Sequence, residues 1–275
     1  MFVKRDTRKI KEILVDEEDP RHDMFLARRS AEFPMGGIRP VLCRPQQVDC
    51  MLNLVNLSLY GNNLVSLGGI EALARCESLV HLDLGKNNLS DLSEGFAELK
   101  SLEEVVVDDN MFTKVPAELA ALKKLRVLRL SGNRIEEFSE ACTESNCWPE
   151  LRVLALDNNE FMSIPPCVGS LAKLETLILR GNHLTELPEE LASLLALKSL
   201  NLSSNKLSIF LPAHLLGQLK NLEVLLLNGN QLTSVPEELA ELAPCRVNLA
   251  NNKLHSIPHG LKEALPKLNT FGQKP

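Results

Sequence analysis

Nine times between Leu54 and Leu254 the chain repeats the pattern Leu-x-x-Leu-x-Leu-x-x-Asn-x-Leu, with conservative replacements. Successive copies begin 22 to 26 residues apart. A period of this size is typical of solenoids, in which each repeat packs only on its neighbours. We number the repeats units one to nine, and they open at Leu54, Leu79, Leu102, Leu125, Leu151, Leu174, Leu197, Leu222 and, in degenerate form, Pro244.

The first half of each unit predicts a short strand with one buried face. In unit six, Leu177 and Leu179 alternate with Thr176, Ile178 and Arg180. This period of two is the pattern of a strand that buries one side. The leucines are therefore expected to point into the solenoid, and the residues between them to point out.

An asparagine follows each strand pattern. Its amide carries both donors and an acceptor, so it can bond to backbone groups at the turn where the strand ladder stops. We interpret these asparagines as structural rather than catalytic. The ladder consists of Asn62, Asn87, Asn110, Asn133, Asn159, Asn182, Asn205, Asn230 and Asn252.

The second half of each unit predicts a short helix or 3₁₀ segment. In unit six, Leu184, Leu187, Leu191 and Leu194 lie three or four residues apart, and Pro188 stands where a first helical turn needs no donor. Stacking the units places these segments on the convex side and joins the strands into one parallel sheet on the concave side. The predicted fold class is α/β.

The convex halves carry a family resemblance. Units with a Leu-Pro pair resemble the Ras-suppressor-like leucine-rich repeats of intracellular proteins. In unit one, Gly69-Ile70 replaces that pair, and the unit is similar to the phosphatase-regulator subclass. The resemblance covers about four-fifths of the chain and implies a nine-repeat solenoid that binds proteins, with no partner common to the family. The Leu-Pro equivalents are Val115-Pro116, Ile164-Pro165, Leu187-Pro188, Val235-Pro236 and Ile257-Pro258.

The chain divides into residues 1–50, an N-terminal extension, and residues 51–275, the leucine-rich-repeat domain. The extension is expected to cap the first unit, because an uncapped leucine ladder would expose apolar surface. Residues 1–20 combine basic residues with the acidic run 16–19 and have a second interpretation, as a docking tail for a partner. The two interpretations can coexist, with residues 25–48 forming the cap.

Composition indicates which class of ligand the protein binds and in which cellular compartment it is found. The formal charge is −6, so nucleic acid is not expected as the main ligand. Seven cysteines are an odd number, and we interpret them as free thiols without a metal. We find neither a signal-peptide pattern nor a stretch of membrane-span length. These features favour a cytoplasmic protein that is monomeric on its own.

No residue pattern predicts catalysis or a cofactor. His81 and Asp83 share a strand face, but no Ser or Cys nucleophile is fixed beside them, so we interpret both as solvated surface. The glycines form no phosphate-binding loop. Trp148, in the longest unit, has two interpretations: packing under its own loop, which is favoured, or contacting a partner. The protein is therefore expected not to be an enzyme.

The concave face is the candidate binding surface. Exposed apolar residues on a strand face have no role in folding, and here they alternate with charges, as at protein interfaces. The competing interpretation is that isolated surface hydrophobes are ordinary. The predicted partner-binding residues are Asp83, Val106, Asp108, Asp109, Arg129, Asp157, Ile178, Arg180 and Leu226.

The sequence thus favours a non-enzymatic protein-interaction module or scaffold. Two alternatives remain open. The Gly-Ile form of unit one suggests a regulatory subunit of an enzyme such as a phosphatase. The small size and charged tail suggest a structural subunit of a large cytoskeletal or ribonucleoprotein assembly.

Overall fold

The computed structural model describes residues 54–143, 147–209, 216–265, 267–270 and 272. Within these ranges nine strands form one parallel sheet and follow one another in chain order, which confirms the expected solenoid. The strands of this sheet are β1 Asn56–Ser58, β2 His81–Asp83, β3 Glu104–Val106, β5 Val127–Arg129, β7 Val153–Ala155, β8 Thr176–Ile178, β9 Ser199–Asn201, β10 Val224–Leu226 and β11 Arg246–Asn248.

Each strand of the large sheet is three residues long and has a buried central residue, which is Leu or Val. The flanking strand residues lie half-buried or exposed on the concave side, except for Ala155. Stacking therefore produces one continuous apolar core, as the leucine pattern predicts. Burying a Leu-sized side chain contributes about 1.5–3 kcal/mol, so this core supplies most of the stability.

The convex wall consists of 3₁₀ helices and two short α-helices, also as predicted. Pro116, Pro165, Pro188 and Pro236 directly precede four of the 3₁₀ helices, with φ between −60° and −71°. Proline suits this place because its φ is fixed near −65° and it has no N–H to satisfy. The segments are η1 Ile70–Arg75, η2 Glu94–Glu98, η3 Ala117–Ala121, α1 Glu140–Thr143, η4 Pro166–Ser170, η5 Glu189–Ser193, η6 Glu237–Leu242 and α2 Leu261–Ala264, beside a two-stranded sheet of β4 Lys114–Val115 and β6 Glu137–Phe138.

The asparagine ladder joins neighbouring units, as expected. In unit six, the Asn182 side-chain oxygen accepts the N–H of Phe161 at 3.1 Å, and its Nδ2 donates to the carbonyls of Leu156 and Leu179 at 2.9 and 3.0 Å. Asn62 of unit one is different, because its buried Oδ1 has no partner among the described residues. In the other units that oxygen bonds to the preceding unit.

A left-handed residue precedes each ladder asparagine. In all nine units its φ lies between 53° and 72°. Four units have glycine here, which adopts this φ without strain, and the other five have Lys86, Asp109, Asn158, Ser204 and Asn251. This turn follows the strand, so the side chain of the left-handed residue lies at the edge of the sheet.

Unit nine departs from the predicted alignment. Cys245, not Pro244, takes the buried opening position, because Cys245 is buried while Pro244 is exposed. The Cys245 N–H also bonds to the carbonyl of Leu242 at 2.7 Å, as the Leu222 N–H bonds to that of Leu219 at 3.0 Å. One residue is therefore missing between the opening position and the strand in this unit.

A tenth unit begins after the nine that the sequence pattern revealed. Leu265 is fully buried, and Asn269 forms a parallel bridge to Asn248. The Leu249 N–H donates to the Asn269 carbonyl at 2.7 Å, and Gly272 has the left-handed φ of the turn position. The sheet thus extends one step beyond β11.

Trp148 is buried against units three and four. It is 2% exposed, and its indole Nε1 donates to the carbonyl of Leu119 at 2.8 Å. Its ring lies 6.4 Å from that of Phe138, measured between centroids. The interpretation of Trp148 as a partner contact is wrong, because a buried and fully bonded indole is not available at the surface.

The predicted cap and docking tail, in residues 1–50, lie outside the described residues.

Candidate functional site

The concave face is built from columns of side chains that adjacent strands hold in register. The third residue of each large-sheet strand pairs with the third residue of the next. Parallel strands lie about 4.8 Å apart, so each side chain has a neighbour at that spacing. This central column is Ser58, Asp83, Val106, Arg129, Ala155, Ile178, Asn201, Leu226 and Asn248.

A second column lies two residues further along each unit. Here the backbone ladder continues past the strands: the Asn158 N–H bonds to the Arg180 carbonyl at 2.7 Å, and the Gly181 N–H to the Ser203 carbonyl at 2.9 Å. The edge column is Tyr60, Gly85, Asp108, Ser131, Asp157, Arg180, Ser203, Asn228 and Ala250. Eight of the nine predicted site residues therefore occupy these two columns.

The three predicted apolar residues all face outward. Val106, Ile178 and Leu226 are half-buried, in contrast to the leucines beside them in the chain, which are buried. Neighbouring side chains on the sheet cover part of each. The exposed part of each side chain is apolar surface surrounded by polar groups. Protein interfaces have this mixed composition.

Arg129 is engaged within the protein. Its Nε donates to Oδ2 of Asp108, one strand away, at 2.8 Å, and this hydrogen bond raises the pKa of the guanidinium. Asp108 also accepts the N–H of Ser131 at 2.7 Å. A partner's carboxylate would therefore have to compete with Asp108 for Arg129.

Asp83 and Asp157 are held by nearby donors. Asp83 accepts the N–H of Gly85 at 2.9 Å and the hydroxyl of Ser58 at 3.3 Å. Asp157 accepts the hydroxyl of Ser131 at 2.6 Å. Hydrogen bonds of this kind fix the direction of each carboxylate, so these acidic groups are preorganised on the face.

Asp109 was predicted with the strand residues but lies elsewhere. Its φ of 53° places it at the left-handed turn, and its side chain stands at the edge over Gly132 of the next unit. Asp109 is exposed, but it does not belong to either column. The sequence spacing did not reveal where the strand geometry ends.

His81 and Glu104 form a contact that the sequence reasoning missed. The Nδ1 of His81 lies 2.7 Å from Oε2 of Glu104 on the next strand. Both residues are the first residue of their strands, and the register pairs them. The register could have revealed this contact, since side chains at equal positions of adjacent units lie side by side.

Arg180 differs from Arg129. It is exposed, and no ion pair within the described ranges involves it. Ile178 lies two residues before it in the chain, and its neighbours in the edge column are Asp157 and Ser203. Arg180 is thus a cation on the concave face that can meet an external carboxylate.

Ion pairs also line the edge where the strands begin. Glu175 bonds to Arg152 of the preceding unit at 2.6 Å and to Lys198 of the following unit at 2.7 Å. The Lys198 ammonium and the Arg152 guanidinium lower the pKa of this carboxyl. Arg126 and Glu103 make a similar pair at 2.9 Å. These pairs join units at the surface and leave the two columns unobstructed.

The turns of units eight and nine border a pocket of about 560 Å³. Its walls come from residues 229–231 and 251–253, which follow the strands. The pocket therefore lies beyond the edge column and does not include any predicted site residue.

Two other features are absent from the described part of the chain: a metal-binding cluster and a membrane-spanning helix. There, no group of three or more His, Cys, Asp or Glu side chains is arranged to hold a metal ion. Among the same residues, no helix has the length and apolar character needed to cross a membrane.

The fold and this face define a leucine-rich-repeat protein. The leucine-rich-repeat family model matches residues 52–112, 149–207 and 172–232, which together make up more than half of the chain. The chain belongs to this family. Leucine-rich-repeat domains are in general protein-interaction modules and not enzymes.

Two relatives match over shorter segments. Asporin from Bos taurus is 32% identical over 74 residues, which cover 26% of this chain and 20% of asporin. The flightless-1 homolog from Caenorhabditis elegans is 31% identical over 95 residues, or 34% of this chain and 7% of that protein. The chain thus matches a fifth or less of the length of either relative.

Solved structures resemble most of the chain. A Leptospira interrogans leucine-rich-repeat protein has a TM-score of 0.62 and 27% identity, with 84% of this chain and 69% of that one covered. The ectodomain of the Arabidopsis thaliana receptor kinase GASSHO1/SCHENGEN3, in complex with Casparian strip integrity factor 2, has a TM-score of 0.69 and 27% identity, covering 87% and 28%. The plant peptide hormone receptor RGFR1, in complex with RGF2, has a TM-score of 0.67 and 27% identity, covering 83% and 37%.

Proposed function

We propose that this protein is a non-enzymatic interaction module or scaffold that binds a protein partner through its concave face. The observation that carries the proposal is the central column, where half-buried apolar side chains stand in register beside charged or amide side chains: Val106 lies between Asp83 and Arg129, and Asn201 lies between Ile178 and Leu226. Val106, Ile178 and Leu226 face outward, so they do not belong to the core that stabilises the fold. A partner that covers them would bury apolar area, which is the main source of affinity in protein association.

The proposed contact set keeps the sequence-derived residues but gives them different roles. Ile178, Leu226 and Val106 supply apolar contacts, and Arg180 supplies an exposed cation. Asp83, Asp108 and Asp157 supply oriented carboxylates, whereas Arg129 positions Asp108. Asp109 supplies a carboxylate at the edge of the sheet.

Two of the structural neighbours support the general class of activity. GASSHO1/SCHENGEN3 was solved in complex with Casparian strip integrity factor 2, and RGFR1 in complex with RGF2. Their identity to this chain is 27%, so they support ligand binding by this architecture and leave the partner open.

An affinity purification with two matched variants tests the proposal. Ile178→Asp puts a charge on the central column, and Leu195→Asp puts the same charge on an apolar residue that is 58% exposed and lies outside both columns. Proteins recovered with the parent chain are quantified against each variant by mass spectrometry. We expect Ile178→Asp to lose the partner and Leu195→Asp to retain it, with both variants folded by circular dichroism. Retention of every partner by folded Ile178→Asp would refute concave-face binding.

A regulatory subunit of an enzyme such as a phosphatase is an alternative function. Its sequence basis was the Gly-Ile pair of unit one. Gly69 has a φ of 90° at the start of η1, and Ile70 is fully buried. A left-handed backbone position accounts for the glycine and core packing accounts for the isoleucine. The pair therefore has a structural explanation that requires no particular partner.

A role as a subunit of a cytoskeletal or ribonucleoprotein assembly is a further alternative, and co-purification of a fixed set of subunits would favour it.

We also propose that residues 1–50 cap unit one. Support comes from Asn62, whose buried Oδ1 has no partner among the described residues. In unit two the same oxygen of Asn87 accepts the N–H groups of Asn62 and Leu64, at 3.0 and 2.9 Å. A preceding segment that presents two backbone N–H groups would satisfy Asn62 in the same way.

A cytoplasmic, monomeric protein completes the proposal. Five described cysteines are free thiols, which is the usual state in a reducing compartment. Cell fractionation and light scattering of the purified chain test these two points.

A further inference from the structure

The concave face has opposite electrostatic character in its two halves. We define the inward positions as the first and third residues of each large-sheet strand and the edge-column residue of the same unit. In units two to five these positions hold four carboxylates and one guanidinium. In units six to nine they hold two guanidiniums, those of Arg180 and Arg246, and no carboxylate. The acidic half contains Asp83, Glu104, Asp108, Asp157 and Arg129.

Hydrogen bonding strengthens the donor character of units six to nine. The Oδ1 of Asn201 accepts both the N–H and the hydroxyl of Ser203, at 3.1 and 2.6 Å. The Oδ1 of Asn248 accepts the N–H of Ala250 at 3.1 Å. Because the oxygens are engaged within the chain, each amide directs its Nδ2 donors away from these bonds. The polar groups that this half offers a partner are therefore mainly donors.

The two cations of this half are available to a partner. Arg180 and Arg246 are both exposed, and neither takes part in an ion pair within the described ranges. Arg129, in the other half, is bonded to Asp108. Binding a carboxylate at Arg180 or Arg246 would thus break no existing ion pair, which is the condition for a net gain from a charged contact.

Apolar side chains separate these donors at regular intervals. Along units six to nine the central column reads Ile178, Asn201, Leu226, Asn248. An apolar contact and an amide donor alternate about every 4.8 Å across the sheet. A segment lying across the strands would meet both kinds of contact in turn.

We propose that the partner docks an extended segment of divided charge, with basic residues over units two to five and carboxylates over units six to nine. This inference rests on the proposed function and adds the chemistry of the partner. Asp83 and Arg180 take part in no ion pair within the described ranges, and they lie four strands apart, or about 19 Å, which an extended chain spans in about six residues. The partner's basic and acidic groups therefore stand about that far apart in its sequence.

Two peptides of identical composition test the division of charge against the full chain. One carries lysines at one end, glutamates at the other and leucines between them, and the second alternates the same lysines and glutamates. Fluorescence anisotropy measures the Kd of each. We expect the divided peptide to bind at least about tenfold more tightly at low salt, and this advantage to shrink as salt screens the charges. Equal affinities, or no binding of either peptide, would overturn the inference.

Charge reversal locates the contact. Arg180→Glu should weaken binding of the divided peptide by about tenfold or more and should strengthen binding of a peptide with lysines at both ends. Arg134→Glu is the matched control, because Arg134 is exposed, follows the turn of unit four and lies outside both columns. Equal effects of the two substitutions would show that only the net charge of the protein matters, and the inference would fall.

The outcomes separate this inference from the proposed function. If folded Ile178→Asp loses its cellular partner but the two peptides bind equally, the concave face binds a protein of other chemistry. If Ile178→Asp keeps its partner, the proposed function itself is wrong.

Discussion

The side-chain oxygen of Asn182 accepts the backbone N–H of Phe161, which belongs to the preceding unit, at 3.1 Å. Asn182 is 3% exposed, so water cannot replace this bond. Hydrophobic packing of the leucines holds the units together but is not directional. This hydrogen bond is directional, so it fixes the orientation of one unit relative to the next. The same bond recurs along the solenoid, which makes the ladder a second source of order besides the core.

Asn182→Ala should lower the free energy of unfolding by about 1–3 kcal/mol, because the buried N–H of Phe161 loses its acceptor. Chemical denaturation followed by circular dichroism measures the change. Asn88→Ala is the matched control, because Asn88 is an exposed asparagine directly after a ladder asparagine. Asn88→Ala should change the free energy of unfolding by no more than about 0.5 kcal/mol, and equal losses at positions 88 and 182 would show that the bond to the preceding unit does not stabilise the fold.

The repeat pattern was enough to predict the two columns and the asparagine ladder. The reason is that strand alternation and a fixed period determine which residues face the same side and which lie next to each other. Ile178 and Leu226 were found in this way.

Contacts that depend on side-chain direction could not be predicted from spacing. Arg129 could have pointed toward solvent or toward either neighbouring strand, and only the structure shows its bond to Asp108. Asp109 was misplaced because a left-handed turn directly follows the edge column. Cys245 was missed because unit nine lacks one residue before its strand, which shifts the pattern that a fixed template expects.

Deleting residues 1–20 should leave the melting temperature nearly unchanged if these residues form a docking tail, while complex formation with the partner weakens. Deleting residues 1–50 should instead lower the melting temperature, because Asn62 and the apolar residues of unit one would lose their cover. Val55 and Val65, both already exposed, belong to this end of the solenoid. A large loss of stability from the shorter deletion would assign residues 1–20 to the cap.

Trp148→Phe should cost about 1 kcal/mol, because the Leu119 carbonyl loses the indole donor but keeps the N–H of Leu122. Trp148→Ala should cost about 3–5 kcal/mol, since it also leaves a cavity beside Phe138. Urea denaturation by circular dichroism gives both values. If the alanine variant is as stable as the phenylalanine variant, the ring does not support the unit.

The thiol of Cys245 should resist alkylation in the folded protein. It is 1% exposed, and burial raises its pKa to about 11. At pH 8 the thiolate is therefore scarce, and it is the thiolate that reacts. Iodoacetamide labelling read by peptide mass spectrometry should modify Cys245 only in denaturant. Fast labelling under native conditions would contradict the placement of Cys245 in the core of unit nine.

Arg129→Glu and Arg180→Glu make the same change of charge at two positions on one face, yet their effects on stability should differ. Arg129 is bonded to Asp108, so a glutamate there places two carboxylates side by side and should lower the free energy of unfolding by about 0.5–1 kcal/mol, a modest value because the pair is partly exposed. Added salt should reduce this loss, since it screens the repulsion.

Arg180 has no ion pair in the described ranges, so Arg180→Glu breaks none and should cost less stability than Arg129→Glu, at most about 0.5 kcal/mol, while Asp157 is its neighbour in the edge column. Denaturation at two salt concentrations, run on the parent and both variants, makes the comparison. Arg129→Met serves as the control that removes the pair without adding repulsion. Equal and salt-independent losses at positions 129 and 180 would show that the Asp108 contact contributes nothing to the fold, and that the guanidinium of Arg129 is as free to meet a partner as that of Arg180.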